Sequence, residues 1–203
     1  MQKTVCFTTL GCKVNQYDSQ AMLEQFEQHG YTVAPAGVPA DVYVVNTCTV
    51  TGTGDKKSLQ AIRRCRRRNP GAELVVTGCL AQRMGEALRE TGARLILGTQ
   101  CRARVVELLE QAVREGVQMV AVEGVSNSPY EPLSIHSHEG HTRAVMKIQE
   151  GCDNRCTYCI IPSVRGGVRS RPLEEIRREA EALSQAGFQE LVLTGIHLTS
   201  YGR

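Results

Sequence analysis

The chain has 203 residues, enough to bury a sizeable core in one large or two small domains. It carries 24 Lys and Arg against 21 Asp and Glu, nine Cys and no Trp. No apolar run of about eighteen residues occurs and Met1-Gln2-Lys3-Thr4 opens straight into a strand pattern, so neither a membrane span nor a signal peptide is expected. An odd number of cysteines without secretory features points to a cytoplasmic metal or cofactor protein over a disulfide framework.

The first 125 residues repeat a strand–loop–helix unit. Thr4–Thr9 reads as a strand and 18–29 as a helix, with Asp18 or Ser19 as N-cap and Gly30 as its stop. The mostly apolar run 41–46 reads as a buried parallel strand, followed by a helix over 55–68 that ends at Asn69-Pro70-Gly71. Strands at 73–77, 94–97 and 117–122 alternate with helices at 81–90 and 104–115. Such alternation predicts an α/β fold, an open parallel sheet with flanking helices.

Residues 126–142 break the pattern and read as a linker, rich in Ser, Asn, Pro, Gly and His. His136, His138 and His141 invite a metal reading there, although a polar linker collects histidines easily. A second unit spans 143–203. A strand around Ala144, Met146 and Ile148 leads into a cysteine loop, then a helix over 174–186 and a strand over 191–194. This is the opening of a (βα) barrel, about one and a half units, and an incomplete chain is the expectation.

Two cysteine sets carry the chemistry. In the second unit, Cys152, Cys156 and Cys159 follow the spacing Cys-x3-Cys-x2-Cys, with Tyr158 just before the third. Structural zinc wants four closed ligands, so three thiolates fit a cubane iron–sulfur cluster with one open iron better. A zinc knuckle completed by His141 or His197 is the alternative. In the first unit, Cys12, Cys48 and Cys79 each fall just after a predicted strand, and the carboxyl-end loops of parallel strands converge on one edge. Three thiolates without an obvious fourth suggest a second open cluster; three unrelated buried thiols are the competing reading. Cys6 and Cys65 look like core residues, and Cys101 is a reserve ligand. Nineteen of the 24 basic residues are Arg. Arg63, Arg64, Arg66, Arg67 and Arg68 crowd one helix, as a solvated face or a phosphate surface. Arg165, Arg169 and Arg171 follow the cysteine loop and are candidates for contact with RNA.

These motifs resemble a family. The Cys152–Cys159 loop is similar to that of radical S-adenosylmethionine (SAM) enzymes, and the six-cysteine combination resembles the radical-SAM methylthiotransferases over essentially the whole chain. Thr9-Leu10-Gly11-Cys12-Lys13-Val14-Asn15-Gln16-Tyr17, Ile160-Ile161-Pro162 and Arg165-Gly166-Gly167 resemble the branch acting on N6-threonylcarbamoyladenosine of tRNA. The resemblance implies two [4Fe–4S] clusters, one on Cys152, Cys156 and Cys159, the other an auxiliary cluster on Cys12, Cys48 and Cys79. It implies SAM bound at the first, with Tyr158 near its adenine and Gly195 near its methionine moiety. It also implies a methylthio group placed on C2 of the adenosine beside the anticodon, an auxiliary cluster that carries or donates sulfur, and a flavodoxin- or ferredoxin-like electron donor. A non-catalytic iron–sulfur or zinc protein, or an RNA-binding fragment, are the alternatives.

Overall fold

The computed structural model describes residues 2–35, 37–126, 128–137 and 142–203. His138 and His141 lie outside these. The first unit runs β1 (Thr4–Thr9), α1 (Lys13–Gln28), β2 (Thr32–Val33), β3 (Val42–Thr47), α2 (Gly52–Arg68), β4 (Glu73–Gly78), α3 (Cys79–Met84), β5 (Leu95–Leu97), α4 (Val105–Glu115) and β6 (Met119–Ala121). Its strands form one six-stranded sheet, ordered β2-β1-β3-β4-β5-β6, with every pairing parallel.

Alternation along the strands feeds two separate cores, because successive side chains point to opposite faces. Cys6, Tyr43, Val45, Leu74, Val76 and Ile96 pack with Ile62 and Cys65 of α2 on one face. Val5, Val44, Val75, Leu95 and Leu97 pack with Met22 and Phe26 of α1 and Leu109 of α4 on the other. The central strand β3 is buried at all six positions, which explains its continuous apolar run.

Two expected elements are placed differently. The first helix begins at Lys13, directly after Cys12, and not at a cap formed by Asp18 or Ser19. Asp18 is instead a buried residue inside α1, where its carboxylate meets cations instead of the helix end. The helix expected over 81–90 is the short α3 followed by a 3-10 helix, Gly85–Thr91; Gly85, at φ +48°, breaks the α-helical run. The two-residue strand β2 is too short to show a period in the sequence.

The second unit runs β7 (Ala144–Glu150), α5 (Ile161–Arg165), β8 (Arg169–Ser170), α6 (Leu173–Gln185) and β9 (Leu191–Gly195). Its three-stranded sheet is ordered β8-β7-β9, with β9 parallel and β8 antiparallel to β7. This is a partial β/α arrangement, the opening of a barrel that the sequence predicts. Helix α1 packs against both sheets. Its second apolar stripe, Tyr17 and Ala21, meets Ala144 of β7, Leu183 of α6 and two residues of the connecting segment, Leu133 and Ile135. The segment expected to behave as a linker thus contributes to the core, and the Tyr130 hydroxyl donates to the Lys147 carbonyl at 2.9 Å.

Candidate metal centres

Cys12 precedes α1 at the end of β1, Cys48 follows β3, and Cys79 opens α3 directly after β4. Because β1, β3 and β4 are adjacent and parallel, the three thiols leave one sheet edge side by side. The turn glycines permit this. Gly11 has φ +100°, and a Cβ there would lie 2.9 Å from both Cβ and Sγ of Cys48. Gly78 has φ +93°, and a Cβ there would lie 2.5 Å from the Thr47 carbonyl oxygen. Side-chain amides fasten the loops together: Asn15 Nδ2 donates to the carbonyls of Leu10 at 2.7 Å and Thr47 at 2.9 Å. Ser58 bridges the backbone of Cys48, accepting from its N–H at 3.1 Å and donating to its carbonyl at 3.0 Å.

Cys79 is buried and Cys12 exposed, with Cys48 between them. Burial pushes the Cys79 thiol up, the Arg165 charge and hydrogen bond oppose this, and Cys12 is close enough to act on it electrostatically. Cys6 and Cys65 sit together in the core, as their positions predict. The reserve candidate Cys101 has φ +60°, and its thiol hydrogen-bonds with Glu123 Oε1 at 3.1 Å. Burial, then that hydrogen bond and charge, push it up to about 11.

The second cysteine loop leaves the end of β7. At Gly151, φ +72°, a Cβ would run into the Gly167 carbonyl, so the loop returns over its own start. The Cys152 N–H donates to the Gly166 carbonyl and the Cys159 N–H to that of Cys156, each at 3.0 Å. Asp153 Oδ1 accepts from the Val168 N–H at 3.0 Å. Tyr158 is 91% exposed at the loop's tip. Gly195 closes β9 beside Gln149, where a Cβ would fall 2.8 Å from that residue's Cβ.

Between the two cysteine sets lies a buried ion network that sequence reasoning missed. Asp18 of α1 receives Lys147 Nζ at 2.5 Å, Arg165 Nη1 at 3.2 Å and the Arg102 guanidinium. Glu150 of β7 receives Arg165 Nη1 at 2.8 Å, Lys147 Nζ at 3.1 Å and Arg102 Nη2 at 3.5 Å. Glu131 completes the set, accepting from Arg102 Nε at 2.8 Å. Three cations thus meet three carboxylates, the pairing a buried charge demands. Burial pushes the Asp18 carboxyl up, but Arg102, Lys147 and Arg165 together outweigh it and hold the group below its ordinary value. The signal in the sequence was Lys147 and Glu150 inside an otherwise core strand, β7, buried at every position.

Two of the three arginines expected to contact RNA, Arg165 and Arg171, are placed inside the protein. Arg165 is 0% exposed: its Nε donates to Cys79 Sγ at 3.2 Å, and its terminal nitrogens reach Asp18, Glu150 and Asn15 Oδ1. Arg171 is 3% exposed and binds Glu179 and the Tyr17 hydroxyl. Arg169 is half-buried and donates to the Arg165 carbonyl. A guanidinium committed to buried carboxylates is not available to a phosphate. The histidines also have protein partners: His136 Nδ1 meets Glu24 at 3.1 Å, and the His197 ring lies between the hydroxyls of Ser200 and Thr199.

Among the described residues, no three His, Cys, Asp or Glu side chains are gathered as a metal site. The donor chemistry of both sets nevertheless fits an iron–sulfur cluster. Each offers three free thiols, and in the first set the thiols share one edge around a glycine turn that leaves room for no side chain.

A family described as "Uncharacterized protein family UPF0004" matches residues 4–98, and the "Radical SAM superfamily" matches residues 146–202. The threonylcarbamoyladenosine tRNA methylthiotransferase MtaB of Bacillus subtilis is 48% identical over 98% of this chain and 45% of that protein. MtaB of Thermotoga maritima is 39% identical over 99% of this chain and 46% of that protein. The ribosomal protein uS12 methylthiotransferase RimO of Myxococcus xanthus is 40% identical over 98% of this chain and 42% of that protein. The chain spans about half the length of the curated relatives it matches.

Proposed function

The chain belongs to the MtaB/RimO-type radical-SAM methylthiotransferases, and from that premise we propose that it acts on tRNA, in the placing of a methylthio group on C2 of N6-threonylcarbamoyladenosine beside the anticodon. The observation that carries this reading is the pair of three-thiol sets flanking one buried ion network, in a chain 48% identical to MtaB of B. subtilis. Cys152, Cys156 and Cys159 would hold one [4Fe–4S] cluster and Cys12, Cys48 and Cys79 the other. Such a cluster, when bound, supplies one-electron reduction of SAM, the route open to an aromatic C–H that no base can deprotonate. The chain's own part is to bind and orient. Tyr158 would offer its exposed ring to the adenine of SAM, and Gly195, at the end of β9, would meet the methionine end through its backbone. The electron would come from a flavodoxin- or ferredoxin-like donor, and the sulfur from a separate source.

RNA as substrate, over a ribosomal protein, is favoured by α2. Lys56, Lys57, Arg63, Arg64, Arg67 and Arg68 fall within one arc of that helix, opposite the buried Ser58, Ile62 and Cys65. Its one acidic residue, Asp55, is held by Arg83 at 2.7 Å and Thr49 at 2.6 Å. A face of like charge with no carboxylate among it suits a phosphate backbone.

The test is anaerobic reconstitution with iron and sulfide, with iron counted in the wild type and in two triple-alanine variants, one for each thiol set. About eight irons, falling to about four in each variant, are expected of two three-thiolate sites. Binding to anticodon stem-loop RNA is measured beside binding to uS12. Zinc in place of iron would sink the radical reading. RNA binding without iron would leave an RNA-binding module, and preference for uS12 would move the chain to the other branch.

A further inference from the structure

Arg165 is carried by the second unit, six residues after Cys159, yet its Nε is hydrogen-bonded to a thiol of the first unit, Cys79 Sγ, at 3.2 Å. Both terminal nitrogens of this guanidinium are also engaged: Nη1 by Asp18 at 3.2 Å and Glu150 at 2.8 Å, Nη2 by Asn15 Oδ1. The side chain is fully buried. Its backbone is clamped as well. The Val164 carbonyl accepts from Thr99 Oγ1 at 2.8 Å, and a Cβ on Gly166 would run into the Val125 carbonyl. The fork therefore cannot swing to another partner without breaking two buried ion pairs, and Nε stays aimed at the sulfur.

A hydrogen bond and a positive charge on a ligating sulfur stabilise the more negative, reduced form of an iron–sulfur cluster, and so raise its potential. We propose that Arg165 is a positioning residue for the first thiol set, and that through Cys79 Sγ it raises the reduction potential of the cluster held there. This rests on the reading of Cys12, Cys48 and Cys79 as cluster ligands. A residue of the SAM-binding unit thereby sets the electronic state of the sulfur-carrying site. Asp18 and Glu150 act one step further out: they orient the guanidinium and do not touch the sulfur.

The test uses the full chain with Cys152, Cys156 and Cys159 replaced by Ala, so that only the first cluster reports. Iron is counted, and the cluster is titrated potentiometrically with dithionite as electron source, followed by its electron paramagnetic resonance signal. Arg165→Met removes donor and charge. It is expected to lower the reduced-to-oxidised ratio at a given potential at least tenfold, 59 mV for a one-electron couple. Arg165→Lys, which keeps the charge, is expected to recover part of that shift. Should Arg165→Met fail to fold, Arg165→Met with Glu150→Gln, which leaves no orphaned carboxylate there, is read against Glu150→Gln alone. No iron in the parent would overturn the ligand assignment and this inference with it. Iron retained, with an unchanged potential and signal in the Arg165 variants, would overturn this inference alone.

Discussion

Asp18 and Lys147 meet at 2.5 Å, although 129 residues separate them and both side chains are 1% exposed. The contact joins α1 of the first unit to β7 of the second inside a network of three cations and three carboxylates. Removing one partner from such a network leaves an uncompensated buried charge. Asp18→Asn is therefore expected to cost about 3–5 kcal/mol of stability, far more than a surface substitution. Urea unfolding of the variant checks this. A loss below about 1 kcal/mol would mean that the remaining carboxylates absorb the charge.

The same residue sets an acid limit. Asp18 faces Arg102, Lys147 and Arg165 as cations and Glu150 as a like charge, and its carboxyl lies below the ordinary value of 3.8. A carboxylate with a depressed value contributes stability that is present above its unfolded value and lost as pH falls through its folded one. Asp18 is thus expected to contribute fully above about pH 4 and to lose its contribution progressively below that. Melting temperatures measured from pH 6 to pH 2 should fall less steeply below pH 4 in Asp18→Asn than in the wild type. Parallel curves would assign the acid limit to other groups.

The basic face of α2 separates into structural and free arginines. Arg66 is bound to the carbonyls of Pro70 and Ala72, each at 3.1 Å, and to that of Gly92, so it ties the helix to two loops. Gln at Arg63, Arg64, Arg67 and Arg68 together is expected to leave stability within about 0.5 kcal/mol per site. Affinity for an anticodon stem-loop should fall, with the salt slope reduced by about 0.7 for each phosphate that is no longer neutralised. Gln at Arg66 should do the reverse, lowering stability more than the salt slope. Filter binding at several salt concentrations decides it; an unchanged slope in the quadruple variant would place the RNA elsewhere.

The first unit was legible in the sequence because its periods are simple. Runs such as Val42–Thr47 mark buried parallel strands, and a thiol after each of β1, β3 and β4 falls at one edge by topology alone. The ion network was not legible, since charge pairing between residues 18, 102, 131, 147, 150 and 165 has no local period. Asp18 shows the difficulty: a short polar side chain ahead of an apolar stripe looks like an N-cap. Only packing against β7 makes it a counter-ion. Arg165 misled in the same way. Arginine after a cysteine loop suggests phosphate, and only burial shows that it serves a thiol and two carboxylates.

Cys101 offers a check on the assignment of thiols. With its value pushed up to about 11 by burial and by Glu123, it should alkylate slowly at pH 8. Only about one thiol in a thousand is then ionised. Among the apo protein's cysteines, exposed Cys12 and Cys156 should react with iodoacetamide well before Cys101. Glu123→Gln removes both the charge and the carboxylate acceptor and should speed Cys101 several-fold, as read by mass spectrometry of tryptic peptides. Early labelling of Cys101 in the wild type would contradict its bond to Glu123.

Gly11 gives the sharpest test of the first thiol set. Its φ of +100° already disfavours any side chain, and a Cβ would stand 2.9 Å from Cys48 Sγ, closer than real contacts allow. The sulfur would have to move, and it is the atom a cluster needs. Gly30, at φ +81°, has nothing within 4 Å of a Cβ, so Ala there imposes comparable backbone strain without touching a thiol. Both variants should lose on the order of 1–2 kcal/mol of stability. Only Gly11→Ala should lose iron from the first site, counted after reconstitution with Cys152, Cys156 and Cys159 replaced by Ala. Equal iron in the two variants would show that Cys48 is not held against this turn when the site is loaded.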